Sequence, residues 1–176
     1  ARGTAAVGMH LHAWNSPPTE PLTVDDWRHK PYLIEYSDAM MREKVDYMTR
    51  LLEDTFQTKM VSHRAGRWAF DERYARLLVE YGYQVDCSVT PRVNWKTAKG
   101  APQGDGGTDY RRFPQHAYFL DENDISREGH SPLLEVPMSI QYKHSAWMNS
   151  VKQGYDRLRG KVRSPSVHWL RPMGGN

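Results

Sequence analysis

His10 and His12 are separated by one residue in segment 7–13, whose apolar pattern predicts a short β-strand. Residues i and i+2 of a strand point to the same face, so both imidazoles can reach one metal ion at Zn–N distances of about 2.1 Å. A third ligand, usually a carboxylate, has to come from elsewhere. The alternative is a pair of solvent-facing or hydrogen-bonded histidines. Because the segment runs into a Trp-Asn-Ser-Pro-Pro loop, and active sites favour strand ends in α/β folds, we treat the pair as a candidate metal site.

Residues 63–68 read His-Arg-Ala-Gly-Arg-Trp and lie between a predicted strand and a predicted helix. Arg64 and Arg67 flank a glycine that permits a tight turn. The planar guanidinium fork matches a carboxylate, so this turn is a candidate for holding a carboxylate in place. The alternative is that both arginines lie on the surface and pair with Asp71 and Glu72.

Asp86 is a third candidate because it interrupts an apolar predicted strand. Its side chain is expected to point away from those of Val85 and Cys87. It is a metal ligand, a residue that orients Arg64, or an ordinary strand residue on a solvated face. Cys87 is the only cysteine, which excludes an internal disulfide, and its apolar surroundings favour a buried thiol over a nucleophile.

Two helices are predicted between these motifs. The first covers 38–56 with Ser37 as its N-cap, and the second covers 72–81 with Asp71 as its N-cap and Gly82 as its C-cap. Apolar side chains at spacings of three and four define the buried face of each helix. They are Met41, Val45, Met48, Leu52 and Phe56 in the first helix, and Tyr74, Leu77, Leu78 and Tyr81 in the second.

Four apolar stretches predict strands: 7–13, 59–63, 83–89 and 133–141. Their alternation with helices predicts an α/β fold in which these strands are parallel neighbours. Their carboxyl ends are then expected to gather His12, Arg64 and the loop after Val89.

The remaining segments carry weaker patterns. We expect a long surface loop over 19–36 and a functional or partly disordered segment over 94–131. A further helix is predicted over 146–160, followed by a short apolar run at 167–170.

Composition restricts the function classes. The 176 residues are 39% hydrophobic, which suits one globular domain with a core. The net charge of +3 comes from scattered basic residues, so we expect no nucleic-acid partner. No stretch approaches the roughly 20 apolar residues of a membrane span.

Three segments in this order resemble the polysaccharide deacetylases with NodB homology, carbohydrate esterase family four. Residues 8–18 read Gly-Met-His-Leu-His-Ala-Trp-Asn-Ser-Pro-Pro, 63–68 read His-Arg-Ala-Gly-Arg-Trp, and 81–91 read Tyr-Gly-Tyr-Gln-Val-Asp-Cys-Ser-Val-Thr-Pro. The sequence is most similar to the branch that acts in bacterial cell-wall and surface-glycan synthesis. Leu-Glu-Val-Pro-Met at 134–138 resembles the next strand of that branch, so the resemblance spans about 8–141.

The resemblance implies a partial or distorted (β/α) barrel with mostly parallel strands. It also implies a divalent metal, most commonly zinc, held by one Asp and two His, and hydrolysis of N-acetyl groups on sugars of a cell-wall or surface polysaccharide. His10 matches the first metal histidine. His12 is the available second ligand, because the usual His-x-x-x-His spacing places Trp14 at the second position. Arg64 matches the arginine that supports the catalytic carboxylate, and Trp68 the aromatic that lines the sugar groove.

Two parts of the family pattern are not matched. The Asp-Asp pair that supplies the base and third metal ligand normally precedes the histidines by dozens of residues, whereas nine residues precede His10 here. Asp25 and Asp26 follow the histidines and do not replace that pair. His168 is the nearest candidate for the histidine acid. We therefore expect 1–176 to be a single deacetylase-like domain that lacks its N-terminal strand or strands and its C-terminal end.

Three functions follow from these features. The first is a deacetylase acting on an acetylated polysaccharide or oligosaccharide, for which the surface-glycan branch suggests a cytoplasmic location. The second is a non-catalytic glycan-binding domain, and the third an unrelated metal-binding or interaction domain. Trp14 and Trp68 are the leading sugar-stacking residues. Other aromatic residues suited to stacking are Trp95, Trp147 and Trp169.

Overall fold

A five-stranded mixed sheet forms the centre of the computed structural model, which describes residues 5–99, 104–142 and 167–169. Its strands, in sheet order, are β1 (Ser62–His63), β2 (Val85–Asp86), β5 (Leu134–Glu135), β3 (Tyr118–Asp121) and β4 (Asp124–Glu128). A separate antiparallel pair joins β6 (Ile140–Tyr142) to β7 (Val167–Trp169).

The predicted parallel strands are neighbours. Met9 pairs in parallel with His63, β1 pairs in parallel with β2, and β2 pairs in parallel with β5. This part of the prediction is confirmed, although the regular pairings are shorter than the apolar stretches. In segment 7–13 only Met9 makes such a pairing within the described residues.

The expectation of mostly parallel strands is wrong for the described residues as a whole. Among pairings between named strands, β3–β4, β3–β5 and β6–β7 are antiparallel and outnumber the two parallel ones, β1–β2 and β2–β5. The reason is a hairpin within 94–131, where Tyr118 and Leu120 are buried while Phe119 is exposed. The described sheet is an open mixed α/β arrangement, so the distorted barrel stays a prediction.

Within the described ranges three α-helices accompany the sheet: α1 (Asp26–His29), α2 (Asp38–Phe56) and α3 (Glu72–Glu80). The first long helix has its predicted bounds, whereas α3 ends one residue early, with Tyr81 rather than Gly82 as its C-cap. The Ser37 side chain accepts from the Met40 N–H at 3.2 Å, and the Asp71 side chain accepts from the Tyr74 N–H at 2.9 Å. Gly82 follows α3 with a φ of +79°, the left-handed conformation expected of a glycine at this position.

One detail of the predicted core and one predicted loop are wrong. Phe56 is 51% exposed because the last turn of α2 is largely solvent-facing, whereas Met41 and Val45 on the same face are buried. Segment 19–36 is not simply a surface loop, since it contains α1 and buries Tyr32 and Tyr36.

Other predictions are only partly covered. The helix over 146–160, with Trp147, lies outside the described residues. The stretch 133–141 divides into β5 and β6. No helix in the described ranges is long and apolar enough to cross a membrane.

A row of buried ionisable residues crosses the three parallel strands. His63 pairs in register with Asp86, and Asp86 with Glu135, and all three are at most 2% exposed. His63 Nδ1 lies 2.6 Å from Asp86 Oδ1, and His63 Nε2 lies 2.7 Å from the Tyr74 hydroxyl. Asp86 is therefore neither solvated nor bonded to the Arg64 side chain. The N–H and the hydroxyl of Ser88 both donate to it, His63 contacts it, and the Glu135 carboxyl is a further side-chain hydrogen-bond partner.

The pKa values of the two buried carboxyl groups are shifted in opposite directions. Burial opposes ionisation of Asp86, but the hydrogen bond and charge of His63 outweigh it and hold the Asp86 pKa below its usual value. Burial, followed by the negative charge of Asp86, raises the pKa of Glu135 well above its usual value. These opposite shifts favour the proton on Glu135 rather than on Asp86, and Glu135 Oε1 accepts from the Val89 N–H at 3.0 Å.

Glu135→Gln is expected to change the pH dependence of stability. A carboxyl whose pKa is raised by folding contributes fully below its unfolded pKa of about 4.3 and loses that contribution as the pH rises toward its folded pKa. The free energy of unfolding of the wild type should therefore fall relative to that of the variant as the pH rises from 5 to 8. The difference between the two should change by at most about 1.4 kcal/mol per pH unit. Urea unfolding at several pH values measures this. Glu43→Gln on the exposed side of α2 is the control, and parallel curves for Glu135→Gln and wild type would contradict the assignment.

Candidate functional site

Segment 7–13 has one buried face, and its histidines lie on the opposite, more exposed face. Met9, Leu11 and Ala13 are at most 2% exposed, so the alternate residues point the other way. The His10 and His12 rings lie edge to face with centroids 4.7 Å apart, and the Trp14 ring follows 4.5 Å from His12. The prediction that the two imidazoles share a face is confirmed.

Backbone hydrogen bonds attach the arginine turn to this segment. The Arg64 N–H donates to the Met9 carbonyl and the Gly66 N–H to the Leu11 carbonyl, each at 3.0 Å. The Ala65 N–H donates to the Ser88 hydroxyl at 2.8 Å. The turn is thus fixed on one side by the histidine segment and on the other by the strand that carries Asp86.

Gly66 is required by this close approach. A β-carbon at this position would lie 2.2 Å from the Leu11 carbonyl oxygen and 2.9 Å from His12 Nδ1, both closer than real contacts allow. The turn continues with Arg67 and Trp68 at φ values of 52° and 60°, a left-handed conformation that is unusual for side-chain-bearing residues. Such conformations concentrate at functional sites.

Arg64 contacts His10 twice. His10 Nδ1 lies 2.7 Å from the Arg64 carbonyl oxygen, and His10 Nε2 lies 3.3 Å from the Arg64 guanidinium. A carbonyl only accepts and a guanidinium only donates. His10 is therefore a neutral imidazole that carries its proton on Nδ1, with the Nε2 lone pair directed at the guanidinium.

The arginines also lie against aromatic rings. The Arg64 guanidinium carbon is 4.7 Å from the Trp68 ring centroid, and that of Arg67 is 5.8 Å from the Trp14 centroid and 5.7 Å from the Tyr32 centroid. We call this group the His–Arg cluster. Its members are His10, His12, Trp14, Arg64, Arg67 and Trp68.

Both histidines of the cluster are held neutral. Burial, and then the positive charge of Arg64, lower the pKa of His10, although its hydrogen bond to the Arg64 carbonyl acts in the opposite direction. Burial and the charges of its cationic neighbours, Arg67 among them, lower the pKa of His12. His12 Nδ1 is buried and has no hydrogen-bond partner in the described part of the chain.

The His10–His12 pair does not by itself form a metal site. Among the described residues, no group of three His, Cys, Asp or Glu side chains is placed to hold an ion. The lone pair of His10 Nε2 is taken up by Arg64, whose charge also repels a cation. The adjacent Asp25 and Asp26 do not supply the missing ligand. The Asp26 carboxylate accepts hydrogen bonds from Thr23, Leu22 and Tyr36.

Lys44 is a supporting residue that the sequence analysis missed. It is 1% exposed, and its ammonium donates to the Ser16 carbonyl at 2.7 Å and the Pro18 carbonyl at 2.5 Å, fixing the loop that follows Trp14. Its position three residues after Met41, on the buried face of α2, was the available signal.

The other aromatic and histidine candidates lie elsewhere or are only partly described. Trp95 Nε1 donates to the Thr90 hydroxyl at 2.8 Å, which gives it a structural contact outside the His–Arg cluster. His168 and Trp169 belong to β7, where His168 pairs in register with Gln141. Cys87 is partly buried, and burial raises the pKa of its thiol, which agrees with a structural rather than a nucleophilic role.

Comparison with solved structures finds distant and partial similarity. No protein-family model matches the chain, and no curated protein matches it. A solved structure described as a candidate polysaccharide deacetylase from Mycobacterium smegmatis aligns with 61% of the chain at 20% identity and a TM-score of 0.41. The chain spans 28% of the length of that protein.

Gly66→Ala is expected to disrupt the His–Arg cluster. The new methyl group meets a backbone carbonyl that cannot move independently, so we expect the free energy of unfolding to fall by about 1–3 kcal/mol. The His12 imidazole signals in NMR spectra should shift at the same time. Gly82→Ala is the matched control: its methyl group enters open space but its φ of +79° is unfavourable, so it should cost about 1 kcal/mol and leave the His12 signals in place. Unshifted His12 signals in Gly66→Ala would contradict the described contact.

Proposed function

We propose that this chain belongs to a polysaccharide deacetylase that hydrolyses N-acetyl groups on sugars of a cell-wall or surface polysaccharide. The observation that supports the proposal most directly is the contact between two motifs 54 residues apart, the Arg64 guanidinium and the His10 imidazole. Both motifs belong to the resemblance found in the sequence, and both follow neighbouring parallel pairings. Ligand sites in α/β folds favour such strand ends.

Amide hydrolysis needs three contributions: polarisation of the acetyl carbonyl, a base for the attacking water and an acid for the leaving amine. In this proposal the neutral imidazoles of His10 and His12 face the reacting group. Arg64 orients a carboxylate base by its guanidinium fork, and Trp14 and Trp68 provide aromatic surface for the sugar. The cluster itself contains no carboxylate, so the base is proposed to come from another part of the protein.

A divalent metal, most commonly zinc, stays a prediction from the resemblance. The described residues do not complete a site for it, and the proposed chemistry does not depend on it. Metal binding at His10 would require the Arg64 guanidinium to leave Nε2 and a further ligand to approach.

A non-catalytic glycan-binding domain is the second candidate. The specific observation in its favour is that the cluster combines aromatic and hydrogen-bonding groups with no carboxylate among its members. A binding domain needs only these groups, whereas a hydrolase also needs the base.

Acetate release from acetylated chito-oligosaccharides by the full-length protein that contains this sequence tests the proposal. We expect measurable turnover, and a fall on chelation that added zinc reverses would support the metal implied by the resemblance. Arg64→Met should lower kcat by about 100-fold with a smaller change in KM, because Arg64 is proposed to hold the base rather than the sugar. Arg50→Met is the control, since Arg50 is exposed on α2 and pairs with Asp46 there. Oligosaccharide binding without any acetate release would instead favour the glycan-binding domain.

A further inference from the structure

We propose that the cavity lined by Trp14 and Trp27 is a second sugar subsite, which holds the unit next to the acetylated one along the same glycan. This inference rests on the proposed function in taking a glycan as the ligand. It goes further by assigning a separate site to an uncharged pyranose unit and by making the protein selective for two or more linked sugars.

The cavity adjoins the His–Arg cluster. It has a volume of about 250 Å³, and Trp14 belongs both to its wall and to the cluster, where the Trp14 ring lies 4.5 Å from that of His12. Another part of the wall comes from α1 and the turn before it and includes Val24 and Trp27. Sites for drug-sized ligands have volumes of about 300–1,000 Å³, so this smaller cavity suits one sugar unit rather than a longer segment of the glycan.

The turn before α1 and α1 itself expose apolar side chains at this cavity. Val24 is 98% exposed, and the neighbouring Leu22 is 48% exposed. Trp27 is 53% exposed, even though the Arg28 guanidinium carbon lies 5.9 Å from its ring centroid, so much of the indole surface is open to a ligand. Clustered apolar side chains on a surface mark binding sites. A pyranose ring has an apolar face of C–H groups that packs on an aromatic ring, and Trp27 supplies such a ring.

Polar contacts hold both parts of the wall in place. The buried Lys44 ammonium donates to two carbonyls of the loop after Trp14, at 2.7 and 2.5 Å. The Asp26 carboxylate accepts from the Leu22 and Thr23 N–H groups, at 2.9 and 2.7 Å. The cavity is therefore preformed, as sites for small ligands usually are.

The charges at the cavity oppose an acidic sugar unit. The carboxylates of Glu20, Asp25 and Asp26 line it, against one ammonium, that of Lys44. Asp25 lies 3.6 Å from the Arg28 guanidinium, whereas Glu20 makes no hydrogen bond or ion pair with the described residues. The Glu20 carboxylate can therefore accept hydrogen bonds from the hydroxyl groups of an uncharged sugar.

N-acetylglucosamine and diacetylchitobiose, its disaccharide, are the matched probes, since they differ by one linked sugar unit. Calorimetric titration of the full-length protein that contains this sequence should show the disaccharide binding at least about ten-fold more tightly. Trp27→Ala should reduce the ratio of the two affinities to about one, whereas Trp27→Phe, which keeps an aromatic face, should retain most of it. Phe119→Ala is the control and should leave the ratio unchanged, because Phe119 on β3 is exposed to a similar extent, 51%. Circular dichroism verifies that each variant is folded.

A second measurement uses the wild-type protein. Addition of the disaccharide should shift the Trp27 indole N–H signal in NMR spectra, because the sugar ring packs on the indole. The signal is assigned by its absence in Trp27→Phe.

Three results would overturn the inference: equal affinities of the wild type for the two sugars, an unchanged ratio in folded Trp27→Ala, or an unshifted Trp27 signal at saturating disaccharide. A failure of this inference is distinguishable from a failure of the proposed function. Acetate release from both sugars with equal kcat/KM would refute the subsite alone. A preference for the disaccharide that depends on Trp27, without acetate release, would support the subsite in a glycan-binding domain and refute the deacetylase.

Discussion

Two backbone hydrogen bonds, from the Arg64 and Gly66 N–H groups to the Met9 and Leu11 carbonyls, join the histidine segment to the arginine turn. The contacts between the two motifs of the His–Arg cluster depend on this junction, because it brings together side chains that are far apart in sequence. The junction is possible only because Gly66 has no β-carbon. A single small residue thereby determines whether the imidazoles and guanidiniums form one site.

The pleat of the parallel strands divides the ionisable residues between two environments. Successive residues point to opposite faces, so Arg64 contacts His10 while its neighbour His63 is buried against Asp86. Burying polar groups is unfavourable unless they are hydrogen-bonded, and the bonds among His63, Asp86 and Ser88 meet that requirement. The same Ser88 hydroxyl accepts from the Ala65 N–H, so the buried row also supports the arginine turn.

Local patterns in the sequence predict the helices and the shared face of the histidines well. Helix caps and helical spacing depend on neighbouring residues only, and so α2 is predicted from Ser37 onward with its full length. The environment of Asp86 could not be predicted, because it depends on the register of three strands that are distant in sequence. Lys44 illustrates the same limit, since its burial is favourable only where the loop after Trp14 supplies carbonyl partners.

The tautomer of His10 is the most direct test of the junction between the two motifs. In metal-free protein at neutral pH, ¹⁵N NMR of the imidazole should show a neutral ring with its proton on Nδ1 and none on Nε2. This follows because Nδ1 lies 2.7 Å from the Arg64 carbonyl oxygen and Nε2 faces the guanidinium. A proton found on Nε2, with Nδ1 unprotonated, would contradict the account, since neither contact with Arg64 could then exist.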